Sequence, residues 1–266
     1  MRPLTPIVRA LLIITILVFV AEYLLTLQNG NSDLFVRYLA LYPFESDLFY
    51  PHQILTHIFM HGGLMHIFFN MYGLYLFGSI LESRWGEKQF LTYYLICGLG
   101  AGIIHAGISA WETQAIKADV EVYLQSPAPE DFSAFLLKHS TENYHNNLGF
   151  IEAFGENPTD NEYITQSTAF VEKVYLRKLN TPTVGASGAI FGLLIAFAML
   201  FPNVELMLLI PPIPLKAKYF VLLYAGMEIY AIYQANPADN VAHFAHLGGF
   251  VVGFILLRIW QSQGKV

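Results

Sequence analysis

Thr183-Val184-Gly185-Ala186-Ser187-Gly188-Ala189-Ile190-Phe191-Gly192 opens an apolar run that continues to Leu200. The stretch sets a hydroxyl in a glycine-rich bend at the mouth of a helix long enough to enter a bilayer. A serine there is either a small residue at a helix contact or a nucleophile. Its partners elsewhere in the chain decide between the two.

Outward from that run the composition is that of a membrane protein. Of the 266 residues, 55% are apolar and 13% charged, the latter about half of the ~25% usual in soluble domains. A net charge of −6 and the absence of any extended Lys/Arg cluster exclude a nucleic-acid partner. The single cysteine, Cys97, excludes an intramolecular disulfide.

Apolar runs occur at Ile7–Leu27, His57–Leu81, Phe90–Ala110, Val184–Phe201, Tyr219–Tyr233 and Val241–Trp260, and they predict six membrane spans. The first, with Glu22 inside it, has no small-residue cleavage site before Gln28-Asn29-Gly30-Asn31 and is expected to be a retained anchor. Residues 28–56, with Arg37, Pro43 and Pro51, suit an interfacial loop. Pro202-Asn203 and Pro211-Pro212-Ile213-Pro214 punctuate the loop after span four, and Asn236–Asn240 forms a turn before span six. Glu228 and Gly226 interrupt span five.

The character changes over 111–182, where acidic residues are dense and long apolar runs vanish. Phe132–Leu137 and Phe170–Leu179 keep helix-like apolar spacing, which predicts an aqueous insertion with helical structure. The expected organisation is therefore an all-α polytopic bundle. Residues 1–110 carry spans one to three, 111–182 an extracytoplasmic insertion, and 183–266 spans four to six. Arg2, Arg9, Arg84, Lys88, Lys216, Lys218, Arg258 and Lys265 fall on one side, whereas Arg37 alone marks the short opposite-side segments. The positive-inside rule then makes both termini cytoplasmic.

Polar groups inside spans are costly, which marks them as functional candidates. His66 and Asn70 are one helical turn apart, a convergent pair of donors. His57 and His61 precede Gly62-Gly63, a possible helix start, and are read as structural loop residues, as are His105 and His243 within the bundle. In span six, His246, Gly249 and Gly253 share a stripe; in span four, Gly188, Gly192 and Ala196 do. Two such glycine faces can pack backbone to backbone and bring His246 to Ser187. Serine, imidazole and two further donors are the parts of acyl transfer: nucleophile Ser187, base His246, and an oxyanion hole from His66, Asn70 and the Ser187 N–H. No Asp or Glu of these spans is expected near the pair to orient His246, and the expected unit is a dyad, not a triad. A His-lined transporter or metal site is the competing reading, weakened by the lack of a carboxylate positioned as a companion ligand.

The chain resembles the rhomboid family of intramembrane serine proteases across residues 7–260 apart from the insertion. The resemblance is carried by His61-Gly62-Gly63-Leu64-Met65-His66-Ile67-Phe68-Phe69-Asn70, Glu82-x-Arg84-x-Gly86, Gly185-Ala186-Ser187-Gly188, and Ala245-His246-Leu247-Gly248-Gly249 with Gly253. It implies a six-helix rhomboid-like bundle, the same four site residues, and cleavage of transmembrane protein substrates within the lipid bilayer, with no metal or other cofactor. It also implies lateral substrate access at span five and the loop 236–240. Three departures stand out: His52-Gln53 where the family often has Trp-Arg, Phe191 where a tyrosine is frequent, and the long insertion. The alternative within the same resemblance is a non-catalytic rhomboid-like protein that binds transmembrane clients.

Overall fold

The computed structural model describes residues 4–29, 33–207, 213–234 and 241–266. Its elements are helical almost throughout. The first half contains α1 (Pro6–Asn29), α2 (Asp33–Leu39), α3 (Gln53–Thr56), α4 (Leu64–Gly73), α5 (Ser79–Trp85) and α6 (Glu87–Gln125). The acidic region folds as α7 (Pro129–His139), α8 (Thr141–Asn146), α9 (Leu148–Glu156) and α10 (Asn161–Leu179). The last third holds α11 (Ser187–Leu200), α12 (Ala217–Gln234) and α13 (His243–Ser262).

Four helical stretches, Pro6–Leu27, Leu64–Trp85, Glu87–Gln125 and His243–Ser262, are long and apolar enough to cross a membrane. The protein is thus an all-α polytopic membrane protein. α11 and α12 lie where the fourth and fifth spans were expected. With 14 residues, α11 is only about 21 Å long. The second span begins later than its apolar run: His57–Phe59 forms a single 3₁₀ turn, and the long helix starts at Leu64, directly after Gly62-Gly63.

The Glu82-x-Arg84-x-Gly86 motif fixes the start of α1. Glu82 is buried, and its carboxylate accepts from the Ile7 N–H at 2.9 Å, the Val8 N–H at 2.8 Å and the Thr5 hydroxyl at 2.5 Å. Those amides lack helical acceptors by the geometry of a helix N-terminus, where negative charge is also favoured. Gly86, at φ +82°, supplies the left-handed residue that turns the chain from α5 into α6. Arg84 lies over the Phe201 ring at 5.7 Å.

At the centre, α6, α11 and α13 pack through small residues. A side chain on Gly249 would collide with the Gly188 carbonyl, and one on Gly188 with Ala101. An added Cβ on Gly253 would lie 2.8 Å from the Gly192 Cα. The buried Tyr93 hydroxyl lies within donating reach of the Gly192 and Gly253 carbonyls, at 3.1 and 2.8 Å. The glycine stripes expected on spans four and six do face one another.

α6 does not stop at Ala110; it runs on to Gln125 and supplies the first wall of a second core. Tyr123, Phe132, Phe135, Leu136, Phe154 and Val171 are buried together there. Lys178 pairs with Glu112 at 2.9 Å, closing α10 back onto α6. Beyond α10, Thr183 pairs with Leu41 in an antiparallel bridge, with N–H···O distances of 2.8 and 3.0 Å, and the Ser46 hydroxyl donates to Asn180 Oδ1 at 2.7 Å.

The loop 40–53 is organised by Gln53. This buried side chain accepts from the Tyr50 N–H at 3.1 Å and the Tyr42 N–H at 3.4 Å. It donates to the Arg37 and Leu48 carbonyls, both at 3.0 Å. His52 meets the Tyr38 carbonyl at 2.7 Å. His52-Gln53 therefore anchors this loop by satisfying main-chain groups. After α11 the chain forms a small hairpin, β1 (Glu205–Met207) against β2 (Pro214–Lys216), an element not expected from a proline-rich loop. Pro214 takes the first position of its strand, where proline is tolerated. Pro211-Pro212, the turn at 236–240 and Gly30-Asn31 lie outside the described residues.

Candidate active site

Ser187 is the first residue of α11. The bend before it is pinned from the loop preceding α4: the Gly185 N–H donates to the His57 carbonyl at 2.9 Å, and the Ala186 N–H reaches His61 Nε2 at 3.4 Å. Gly185 has φ +126°, a conformation that side-chain-bearing residues rarely adopt. Its missing side chain is also required by space. A Cβ there would lie 2.7 Å from His66 Nε2 and 3.7 Å from Ser187 Oγ, so both side chains border the same small volume. Helix geometry leaves the Ser187, Gly188 and Ala189 N–H groups without helical acceptors at this end.

His66 lies in the first turn of α4 and meets the His61 ring edge-to-face at 5.0 Å. Asn70 is buried one turn later and donates one amide N–H to the His66 carbonyl at 2.8 Å, leaving its second N–H. α4 approaches α11 closely, since a Cβ on Gly73 would lie 3.0 Å from the Ile190 side chain.

His246 lies in the first turn of α13 and is buried. Its ring stacks on Phe191 at 4.3 Å and 10°, and Phe191 is one helical turn after Ser187. The neighbours of the two residues also meet: a Cβ on Gly188 would lie 3.4 Å from the Ala245 carbonyl oxygen. Ser187 and His66 thus share one space, while His246 is held against the first turn of Ser187's helix. His57 has a structural environment, its Nδ1 on the Gln53 carbonyl at 2.9 Å and its ring against Gly102. His61 instead contacts both the serine bend and His66, a role its assignment as a loop residue missed.

The expectation that no carboxylate approaches His246 is incorrect. Glu228 of α12 is buried, with Oε1 3.0 Å from His246 Nδ1 and Oε2 2.5 Å from His243 Nδ1. His243, read from sequence as a bundle residue, shares this carboxylate. The reason is helical phase. Ala217, Val221, Tyr224 and Glu228 form one stripe of α12 at spacings of four, three and four. The Tyr224 ring packs on Phe191 at 5.0 Å, and that stripe faces the site. Glu228 is the lone carboxylate within the last three apolar runs. A charge so placed demands a partner, and that demand was the readable signal.

Glu228, His243 and His246 offer ligand atoms within 4.8 Å of one another, a set that fits a cation in kind. The distances favour proton sharing. Two atoms on one tetrahedral zinc, each ~2.0–2.1 Å from the metal, sit ~3.3 Å apart, whereas the two carboxylate–ring contacts are 2.5 and 3.0 Å.

A family model described as the Rhomboid domain matches residues 49–116 and 164–262. RHOMBOID-like protein 12, mitochondrial, of Arabidopsis thaliana is 25% identical over 77% of this chain and 45% of its own length. Rhomboid protease GlpG of Klebsiella pneumoniae is 32% identical over 37% of this chain and 34% of its own length. Rhomboid protein 1, mitochondrial, of Saccharomyces cerevisiae is 36% identical over 28% of this chain and 21% of its own length. In each case the similarity spans less than half of the relative.

Proposed function

The chain belongs to the rhomboid family, and on that premise we propose that it is an intramembrane serine endopeptidase acting on transmembrane protein substrates. Ser187 Oγ attacks the scissile carbonyl carbon while His246 Nε2 takes its proton. The tetrahedral oxyanion accepts hydrogen bonds from His66, Asn70 and the Ser187 N–H. Collapse of that intermediate breaks the C–N bond, and His246 returns the proton to the leaving amine. Water then hydrolyses the acyl-enzyme by the same base, regenerating Ser187. The termini face the cytoplasm in this reading, and the helices of 111–182 stand on the opposite side.

The observation that carries the reading is the stack of His246 on Phe191, one turn after a serine at a helix N-terminus. Phe191 holds the ring by face contact alone, the hydroxyl of the family's frequent tyrosine being absent. The test is labelling of the detergent-solubilised protein with a fluorophosphonate probe, beside Ser187→Ala and His246→Ala. Wild type is expected to label at Ser187, both variants to lose the label, and a chelator to leave it unchanged. Labelling of wild type no better than Ser187→Ala, with transmembrane clients still bound, identifies a non-catalytic client-binding protein instead.

A further inference from the structure

We propose that Glu228 is the positioning residue for His246, orienting its ring so that Nε2 is presented to Ser187. This inference rests on the reading of Ser187 as nucleophile and His246 as base. It leaves the Ser187–His246 unit to do the chemistry and adds a carboxylate from a third helix that fixes its geometry.

Three features support it. First, the ring of His246 is fixed in only one respect by Phe191. A face-to-face stack sets the plane of an imidazole but does not choose between the two flips about its Cβ–Cγ bond, which exchange the Nδ1 and Cδ2 edges. A contact at one ring nitrogen makes that choice, and Glu228 Oε1, 3.0 Å from Nδ1, supplies it.

Second, Nδ1 of His246 is fully buried and has no aligned hydrogen bond among the described residues. The Glu228 oxygen is within ion-pair distance but off the N–H line. Contacts of catalytic bases are commonly poorly aligned in free enzymes and tighten when substrate engages. A small rotation of either side chain aligns the pair, satisfying the buried nitrogen and fixing the tautomer with its proton on Nδ1.

Third, the carboxylate is itself held. Its other oxygen, Oε2, meets His243 Nδ1 at 2.5 Å, so Glu228 is braced on the side away from His246. An orienting group works only if it is less mobile than the group it orients. The negative charge also stabilises the imidazolium that forms when His246 takes the serine proton.

A purely structural role, tying α12 to α13, makes different predictions, and the inactivation kinetics of the fluorophosphonate separate the two. In detergent, wild type, Glu228→Gln, Glu228→Asp and Glu228→Ala are compared for the limiting labelling rate at Ser187, the probe concentration at half that rate, and the melting temperature. Glu228→Gln keeps the shape and loses the charge. Its limiting rate is expected to fall about 10²-fold, the low end of what a general base contributes. Half-saturation and melting temperature are expected to stay at wild-type values. Glu228→Asp, with the charge set back by one methylene, is expected to recover to within about tenfold of wild type, and Glu228→Ala to be slowest.

The proposal is overturned if Glu228→Gln labels at the wild-type rate. It is equally overturned if the rate falls only in step with melting temperature across all three variants, which marks a helix tie. Should Glu228→Ala not fold, the Gln and Asp variants carry both comparisons. Failure of wild type to label at Ser187 overturns the protease reading together with this one. Labelling of wild type with an unaffected Gln variant overturns this one alone.

Discussion

Gly249 has no room for even one carbon, because its backbone rests on the Gly188 carbonyl next to Ser187. Gly249→Ala must push α13 away from α11, and such overpacking typically costs about 1–3 kcal/mol. The expected outcome is a lower melting temperature in detergent and slower fluorophosphonate labelling, as His246 moves with its helix. This contact was legible in the sequence because small-residue stripes follow from spacing alone, and the same arithmetic led to the faces proposed for His66, Asn70, Ser187 and His246. Glu228 was not legible in that way. It lies in a helix whose apolar residues surround it on all sides, so no amphipathic stripe revealed its phase. Leu222, Leu223, Met227, Ile229 and Tyr230 are all exposed to the surroundings. His61 was obscured for a different reason: its contact with Ala186 is made from a loop, where periodicity says nothing.

Among elements, α1 depends on a cap donated from far along the chain. Without the Glu82 carboxylate, the Ile7 and Val8 amides and the Thr5 hydroxyl lose their buried partner. Glu82→Ala is expected to destabilise the bundle by about 1–3 kcal/mol, read as a drop in melting temperature, while Ser187 still labels below that temperature. The acidic region has its own sensitivity. Asp119 lies on α6 beyond the roughly twenty residues that cross the hydrocarbon. It accepts from Lys138 at 2.6 Å and meets His139 at 2.5 Å. The Lys138 hydrogen bond holds the Asp119 carboxyl below the usual carboxylate range. A lowered value in the folded state contributes stability above the unfolded value near ~3.9, and that contribution is lost as pH falls through the folded value. The protection factors of the α7 amides, corrected for the intrinsic pH dependence of exchange, are therefore expected to fall on acidification below about pH 4, and Lys138→Met should blunt that acid dependence. Sequence spacing found helices within the acidic region, but it did not show that the third span's helix continues into it. The apolar run ends at Ala110, whereas backbone hydrogen bonding does not.

For the whole molecule, the proposed orientation sets the acidic helices and the C-terminus on opposite sides of the bilayer. Cys97 is fully buried, so it contributes little background to thiol labelling. In sealed, oriented vesicles, Glu142→Cys and Gln263→Cys are expected to react with a membrane-impermeant maleimide from opposite faces; reaction of both from one face overturns the orientation. The positions of the basic residues are what suggests that orientation, but they could not reveal how the acidic helices join the bundle. That join has a mechanical consequence. Leu41–Thr183 and Ser46–Asn180 fasten the end of α10 to the first loop before the chain reaches Val184-Gly185-Ala186-Ser187. They act as a strain relief acts on a cable. A pull exerted on α7–α10 by anything that grips them is passed sideways into the loop braced by Gln53, and the serine a few residues further on stays still.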